Sequence, residues 1–229
     1  MSAVTTPHPH RQRLFLLTAL GLAGLLAWDA SSLDLLIAAH MAGPEGFPLR
    51  EHWVLTNVMH DGGRRLSWAL ATGLCLAVWW PVGPLRRLTV EDRIQLAVTT
   101  LCAALAVAVL KRFSATSCPW DLSLFGGFAR YASHWSAVPD GGSGHCFPAG
   151  HASSGFSFIG GYFVFRRVAP DIARSWLLAS LGAGLAFGVA QQLRGAHFMS
   201  HTLWTGLVCW AIAVAIDCGR HWPAPGALR

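Results

Sequence analysis

The chain has 229 residues, of which 53% are hydrophobic and only 12% are charged. A soluble domain of this size has roughly a quarter of its residues charged, so the composition excludes an ordinary soluble protein. The formal net charge of +6 requires no nucleic-acid partner, because basic loops on the inner side of a membrane account for much of it. No stretch resembles an inter-domain linker, so we expect a single transmembrane domain over residues 1–229.

Apolar stretches of about 15–20 residues, the length that crosses a bilayer, recur along the chain. We interpret six of them as spanning helices: Leu14–Trp28, Leu66–Trp80, Ile94–Leu110, His151–Phe165, Trp176–Leu193 and Thr202–Ile216. The first resembles a secretory signal, but no convincing cleavage site follows it, so we expect a retained anchor. The sequence thus predicts an all-α integral membrane protein, a bundle of six transmembrane helices.

The basic residues predict an orientation for this bundle. With the N-terminus inside, ten of the seventeen basic residues fall on the cytoplasmic side: Arg11, Arg13, Arg86, Arg87, Arg93, Arg166, Arg167, Arg174, Arg220 and Arg229. The positive-inside rule favours this arrangement. We therefore expect a multi-pass protein of a bacterial-type inner membrane, with both termini cytoplasmic and the loops after spans one, three and five in the periplasm.

The run Cys146–His151 carries the strongest chemical signal in these outer loops. It places a Gly-His pair on the first turn of a hydrophobic helix, just after Pro148. A helix N-terminus offers unpaired N–H groups and a positive dipole end, which together favour an anion. Gly150 permits close approach to the backbone, and His151 adds a proton donor. The run indicates chemistry on a phosphate at a membrane surface, although a plain helix-capping turn is the alternative interpretation.

Two further clusters fall on the same face. One is Lys111 and Arg112 at the end of the third span, where a lysine also commonly snorkels to the interface. The other is the segment Arg194–His201 between spans five and six. In it His197 and His201 are four residues apart, so on a helical turn they share one face.

The cysteines agree with this topology. Only Cys118 and Cys146 fall in an outer loop, and both flank the candidate site. In an oxidising compartment they would form a disulfide. Two free thiols are the alternative.

Together the three clusters resemble the type 2 phosphatidic acid phosphatase superfamily, the integral-membrane lipid phosphatases. The pattern of that family is K-x6-R-P, then P-S-G-H, then S-R-x5-H-x3-D. Lys111 and Pro119 keep the spacing of the first block, Pro148–His151 matches the second, and His197 falls at the last histidine. The resemblance covers the outer ends of spans three to six, and it implies a phosphatidic acid phosphatase/haloperoxidase-like core.

The chain departs from the family pattern at several positions. Cys118 replaces the arginine of the first block, and Ala149 replaces the central serine. Gln191 occupies the arginine position of the third block, with Arg194 about one helical turn later. His201 stands where the family has its final aspartate. Two phosphate-binding arginines and an orienting carboxylate are thus absent from their expected places.

The resemblance implies that His197 attacks phosphorus and forms a phosphohistidine. Its attacking nitrogen must be unprotonated, so the other ring nitrogen needs an acceptor, and a neutral His201 would supply one in place of aspartate. His151 would protonate the leaving oxygen and later activate water.

The phosphoryl oxygens also need partners in this scheme. Lys111, Arg194 and the backbone N–H of Gly150 would hold them and stabilise the transition state. Arg64 and Arg65 at the outer end of span two are candidates to replace the missing arginines. Arg112 is another. An ordinary solvated basic turn is the alternative for these three.

The sequence therefore predicts a phosphoric ester hydrolase that removes phosphate from a lipid-linked phosphomonoester or diphosphate at the outer face. Its partners would be the bilayer and an amphiphilic phosphorylated lipid, and its mechanism requires no metal or other cofactor. A phosphotransferase would use the same residues, and the sequence does not choose among lipid phosphates.

Two alternatives remain open. One is a catalytically inactive relative that binds a lipid phosphate. The other is a histidine-rich membrane metal-binding protein, which would use His145, His151, His197 and His201 as ligands. Against the metal site, Lys111 and Arg194 would repel a cation.

Overall fold

The computed structural model describes residues 9–136 and 138–220, and this part of the chain is helical without a β-strand. The predicted all-α class is confirmed. The α-helices are α1 Pro9–Asp29, α2 Leu33–Met41, α3 Gly63–Leu76, α4 Val90–Phe113, α5 Ser153–Phe156, α6 Gly160–Phe165, α7 Pro170–Leu193 and α8 Met199–Arg220. A π-helix, Val54–Gly62, leads into α3. Short 3₁₀ turns are Gly83–Arg87, Pro119–Asp121, Ser123–Phe125, Gly150–Ala152 and Ser157–Ile159.

Local sequence signals explain where the two longest helices begin. The Thr89 side chain accepts a hydrogen bond from the backbone N–H of Asp92 at 3.2 Å and so caps the N-terminus of α4. Pro170 is the first residue of α7, a position where a backbone N–H would have no acceptor within the helix. Asp171 adds negative charge in the first turn, which the helix dipole favours. Both helices have 24 residues, about 36 Å at 1.5 Å per residue, which is enough to cross a bilayer.

The number of spanning helices differs from the prediction. Among the described residues, three helices are long and apolar enough to cross a membrane, namely α4, α7 and α8. A fourth span results if Arg11–Asp29 and Leu33–Met41 are counted as one helix bent by 65°. The count of six is therefore not confirmed. The predicted termini fall on residues 1–8 and 221–229, which lie outside the described residues.

The second and fourth predicted spans do not form single long α-helices. α3 has only 14 residues, because a turn ends it at Leu76 and the π-helix precedes it. The stretch from Gly150 to Phe165 is divided into alternating 3₁₀ and α segments. Its backbone also lies close to that of a neighbouring helix. A Cβ built on Gly155 would lie 2.2 Å from the backbone nitrogen of Gly184 in α7.

This divided helix lies at the centre of the bundle, between α4, α7 and α8. Its apolar side chains form the main core with residues of α1, α4 and α8: Leu14, Ala103, Val107, Ala149, Ala152, Phe156, Ile159, Phe163, Cys209, Ala213 and Val214. Small residues at the crossings bring the backbones close together, as is typical of helices packed in a membrane.

The outer surface of the bundle is strongly apolar. Large side chains such as Leu105 and Leu178 are 64% and 69% exposed although they lie on long helices. Soluble proteins rarely leave such continuous apolar surface uncovered. Together with three to four helices of spanning length, this surface is that of a membrane protein, with lipid covering the exposed side chains.

Candidate active site

One end of the bundle collects the ends of four helical segments. α4 ends at Phe113 and α7 at Leu193, while the Gly150–Ala152 turn and α8 begin there. A cavity of ≈ 360 Å³ opens between α3, α4 and the turn. Its polar wall includes Arg64, Lys111, Gly150 and His151. Lys111 lies directly against the turn, since a Cβ built on Gly150 would be 3.9 Å from its Nζ.

His151 is positioned by a second histidine. Its ring stacks on that of His60 with centroids 3.8 Å apart, and the His60 Nδ1 lies 2.8 Å from a carboxylate oxygen of Asp61. The Nε2 atom of His151 is buried and has no hydrogen-bond partner among the described residues. A buried nitrogen in that state indicates a place for a ligand. Sequence reasoning missed His60, although its position close to Arg64 in the chain was a signal.

His197 is only 5% exposed and does not line the cavity. Its Nδ1 lies 3.5 Å from the Nδ1 of His201 and 3.5 Å from the sulfur of Cys146. Burial, followed by the positive charge of Lys111, lowers the pKa of His197 well below 6.5. The imidazole is therefore neutral at physiological pH, which is the state a nucleophilic nitrogen requires.

Arg194 makes two hydrogen bonds that the sequence does not predict. Its Nε donates to the backbone oxygen of Arg50 at 2.8 Å, and its Nη1 donates to Oε1 of Gln191 at 3.1 Å. It is not one of the residues that line the cavity. These two hydrogen bonds use two of the five N–H donors of the guanidinium. The Nε2 of Gln191, at the position where the family has arginine, is buried without a partner among the described residues.

The remaining basic candidates separate into two groups. Arg64 lies on the cavity wall. Arg65 and Arg112 are exposed and do not line it.

A loop between α4 and the Gly150 turn covers this end of the bundle. Asp140 holds it, because the backbone N–H and hydroxyl of Ser117 both donate to its carboxylate at 2.7 Å. Burial raises the pKa of Asp140, but these hydrogen bonds outweigh it and the net direction is downward. The sulfurs of Cys118 and Cys146 lie 2.13 Å apart, at disulfide distance.

An aromatic cluster joins the other side of the loop to the helices through Asp29. The carboxylate of Asp29 accepts hydrogen bonds from the indole N–H groups of Trp135 and Trp204, at 3.0 and 2.9 Å. The same oxygen lies 3.2 Å from Nε2 of His134, whose ring stacks on Phe147. Burial lowers the pKa of His134, and nearby Asp29 only partly offsets this. Sequence reasoning missed the cluster, because its members are far apart in the chain.

The residues able to hold a metal differ from the four histidines considered above. Among the described residues, one group of three possible ligands lies close together: Cys146, His197 and His201, all buried, with ligand atoms within 4.8 Å of one another. His145 is exposed, and His151 is not a member of this group.

A second cavity lies beside the first on the other side of α3. It measures ≈ 370 Å³ and is lined mainly by apolar side chains of α3 and α7, including Leu70, Leu74 and Phe187. Ser67 and Ser154 line both cavities, so the polar and apolar spaces are neighbours that share a wall.

One of three comparisons with known proteins matches the part of the chain that forms this site. No curated protein and no solved structure matches the chain significantly. The family model of the PAP2 superfamily matches residues 93–223, more than half of the chain, from α4 through α8. The matched region contains Lys111, Gly150, His151, His197 and His201. The chain belongs to the PAP2 superfamily, that of the type 2 phosphatidic acid phosphatases.

Proposed function

We propose that this protein is a membrane phosphatase that removes phosphate from a lipid-linked phosphomonoester or diphosphate at the outer, periplasmic face. Membership of the PAP2 superfamily supports phosphatase chemistry. One observation carries the assignment of the site: Lys111, Gly150, His151 and Arg64 wall a single cavity.

The charge of this cavity favours an anion. Among the described residues, no carboxylate forms an ion pair with Lys111 or Arg64. A phosphoryl group would supply the missing negative charge and accept hydrogen bonds from both cations. The backbone of Gly150 can approach its oxygens closely, since no side chain intervenes.

The chemistry would proceed in two displacements. His197 attacks phosphorus through Nε2, because its Nδ1 already contacts His201 and Cys146. The negative charge of the bound phosphoryl group favours the protonated imidazolium of His151. That imidazolium gives the leaving oxygen a proton as its bond to phosphorus breaks. His151 then takes a proton from water, which attacks the phosphohistidine and releases phosphate with a free His197. His201 holds the tautomer of His197 throughout.

The adjoining apolar cavity supports a lipid substrate. A phosphate bound near Lys111 and Gly150 would place its lipid portion beside Ser67 and Ser154, at the wall that the two cavities share. An acyl or polyprenyl chain would continue between α3 and α7, where the lining is apolar, and would leave water as the headgroup binds.

Phosphate release from a panel of lipid phosphates tests this function. The purified protein in detergent would receive phosphatidic acid, phosphatidylglycerol phosphate or a polyprenyl diphosphate, with and without EDTA. We expect release from at least one of them, unaffected by EDTA, and a fall of about 10⁴-fold or more in His197→Ala, as for other nucleophiles. His40→Ala, a change of an exposed histidine in α2, is the matched control and should keep full activity.

The same experiment separates the alternatives. Equal release by wild type and His197→Ala would eliminate His197 as the nucleophile. Saturable binding of a lipid phosphate without any release would identify an inactive relative instead. Thermal unfolding of His197→Ala checks that loss of activity does not reflect loss of the fold.

A further inference from the structure

Two of the positions at which this chain departs from the family pattern belong to one cluster of side chains. Cys118, in place of arginine, is at disulfide distance from Cys146, and His201, in place of aspartate, contacts His197. We propose that these four side chains form a redox-controlled metal site, which binds a soft divalent cation such as Zn²⁺ once the Cys118–Cys146 disulfide is reduced.

The geometry already approaches that of a tetrahedral site. The Nδ1 of His197 lies 3.5 Å from both the Nδ1 of His201 and the sulfur of Cys146. Zinc bound at about 2.0–2.1 Å from nitrogen and about 2.3 Å from sulfur places neighbouring ligand atoms roughly 3.3–3.6 Å apart. Three of the four ligand positions therefore need only small movements.

Reduction would supply the fourth ligand. The S–S bond breaks and takes two electrons and two protons from an external reductant, either a dithiol that becomes a disulfide or a phosphine that becomes its oxide with oxygen from water. The Cys118 sulfur is then no longer bonded to that of Cys146 but stays next to it. Metal binding releases the two thiol protons, which gives a Cys₂His₂ ligand set.

Charge explains why the oxidised form should not bind the metal. With the disulfide intact the site offers two neutral imidazoles, and the positive charge of Lys111 acts on His197. A dication is disfavoured there. Two thiolates would neutralise the charge of Zn²⁺, so reduction changes both the number of ligands and the electrostatic balance.

The metal would also change the chemistry of His197. A metal on Nδ1 leaves the ring proton on Nε2, and a protonated nitrogen cannot attack phosphorus. Metal binding by the reduced protein would thus inhibit the proposed phosphatase. The metal site itself does not depend on that function, because its test does not require activity.

Titration with Co²⁺ tests the proposal. The full chain in detergent would be prepared oxidised, or reduced with a phosphine that is then removed under anaerobic conditions. We expect one Co²⁺ per chain in the reduced protein only, with sulfur-to-cobalt charge transfer and the visible bands of tetrahedral Co²⁺, and displacement by Zn²⁺. Cobalt spectra that are identical in both states, or absent in the reduced state, would overturn the site.

Two variants and a control make the test specific. His201→Asn should weaken the affinity of the reduced protein by more than about 100-fold, since loss of an outer-shell partner alone costs about 10–100-fold. Cys118→Ser leaves Cys146 permanently free, so its weaker binding should no longer depend on reduction. Cys75→Ser, a change at a free cysteine of α3, should match wild type. Unchanged affinity in His201→Asn, with thermal unfolding like that of wild type, would contradict the proposal.

Discussion

The two ends of the bundle differ in how their basic side chains are paired with carboxylates. At the end remote from the cavity, basic side chains are paired with buried carboxylates. Arg220 donates to Asp92 at 2.5 Å, while Arg166 and Arg167 donate to the two oxygens of Asp217 at 2.7 and 2.5 Å. At the cavity end, neither Lys111 nor Arg64 forms an ion pair with a carboxylate among the described residues.

This difference separates charges that stabilise the fold from charges held ready for a ligand. A buried ion pair is costly to break, because removing one partner leaves the other charge without compensation. A cation that has no partner contributes little to folding and keeps its full attraction for an incoming anion. We therefore expect substitutions at the cavity end to reduce activity and those at the opposite end to reduce stability.

Of the substitutions that test this comparison, Lys111→Met should have the largest effect, and the effect is on activity. Loss of one preorganised donor to a developing anionic charge costs about 10²–10³-fold in kcat. The melting temperature should be unchanged or higher, because the variant removes a cation that has no carboxylate partner among the described residues. Rates of phosphate release and thermal unfolding in detergent measure both effects.

Arg174→Met is the matched control for Lys111→Met. The Arg174 side chain is 76% exposed and pairs only loosely with Asp171, at 3.6 Å. Both activity and stability should remain those of wild type. A fall in stability of Lys111→Met with unchanged activity would reverse the proposed division between the two ends.

Asp217→Asn tests the opposite end. It removes the charge that compensates Arg166 and Arg167. We expect about 3 kcal/mol lower stability, at the lower end of the range for a broken buried pair, because the Arg167 side chain is 34% exposed. The folded protein should keep its activity per molecule. Thermal unfolding and phosphate release measure the two quantities, and a loss of activity without loss of stability would contradict the comparison.

Gly155→Ala tests the packing that connects the two ends. A Cβ at this position meets the backbone of Gly184, which cannot move aside as a flexible side chain would. We expect about 1–3 kcal/mol lower stability, as is typical of overpacking. Gly182→Ala on α7 is the matched control, because nothing lies within 4 Å of its Cβ. Equal unfolding temperatures in the two variants would show that the close approach is not required.

Sequence reasoning succeeded where one local pattern was sufficient. The fold class follows from apolar stretches of spanning length. Pro148–His151 begins a helical segment as predicted, and its proximity to Lys111 follows from helices that alternate in direction. These inferences need only periodicity and the order of elements along the chain.

Sequence reasoning was less successful where tertiary contacts decide the outcome. The stretch after Gly150 is apolar enough to read as one helix, yet close packing of Gly155 against α7 accompanies its division into short segments. Arg194 lies on the expected turn, but the backbone oxygen of Arg50, distant in sequence, determines the direction of its side chain. His60 was missed for the same reason, since its stacking on His151 joins two distant segments.

His201→Asp should have the smallest effect, which is a shift in the pH dependence of activity. In the wild type, burial and the charge of Lys111 lower the pKa of His197. The acid limb of kcat/KM should therefore lie well below pH 6.5, because His197 loses its ability to attack only when it is protonated. An aspartate beside Nδ1 favours the imidazolium, so the acid limb should move to higher pH by about 1–3 units. His40→Asp, which adds the same charge on α2, should leave the profile unchanged. An acid limb at the same pH in wild type and His201→Asp would mean that His197 is not the group whose protonation limits the reaction, and that His201 does not act on it.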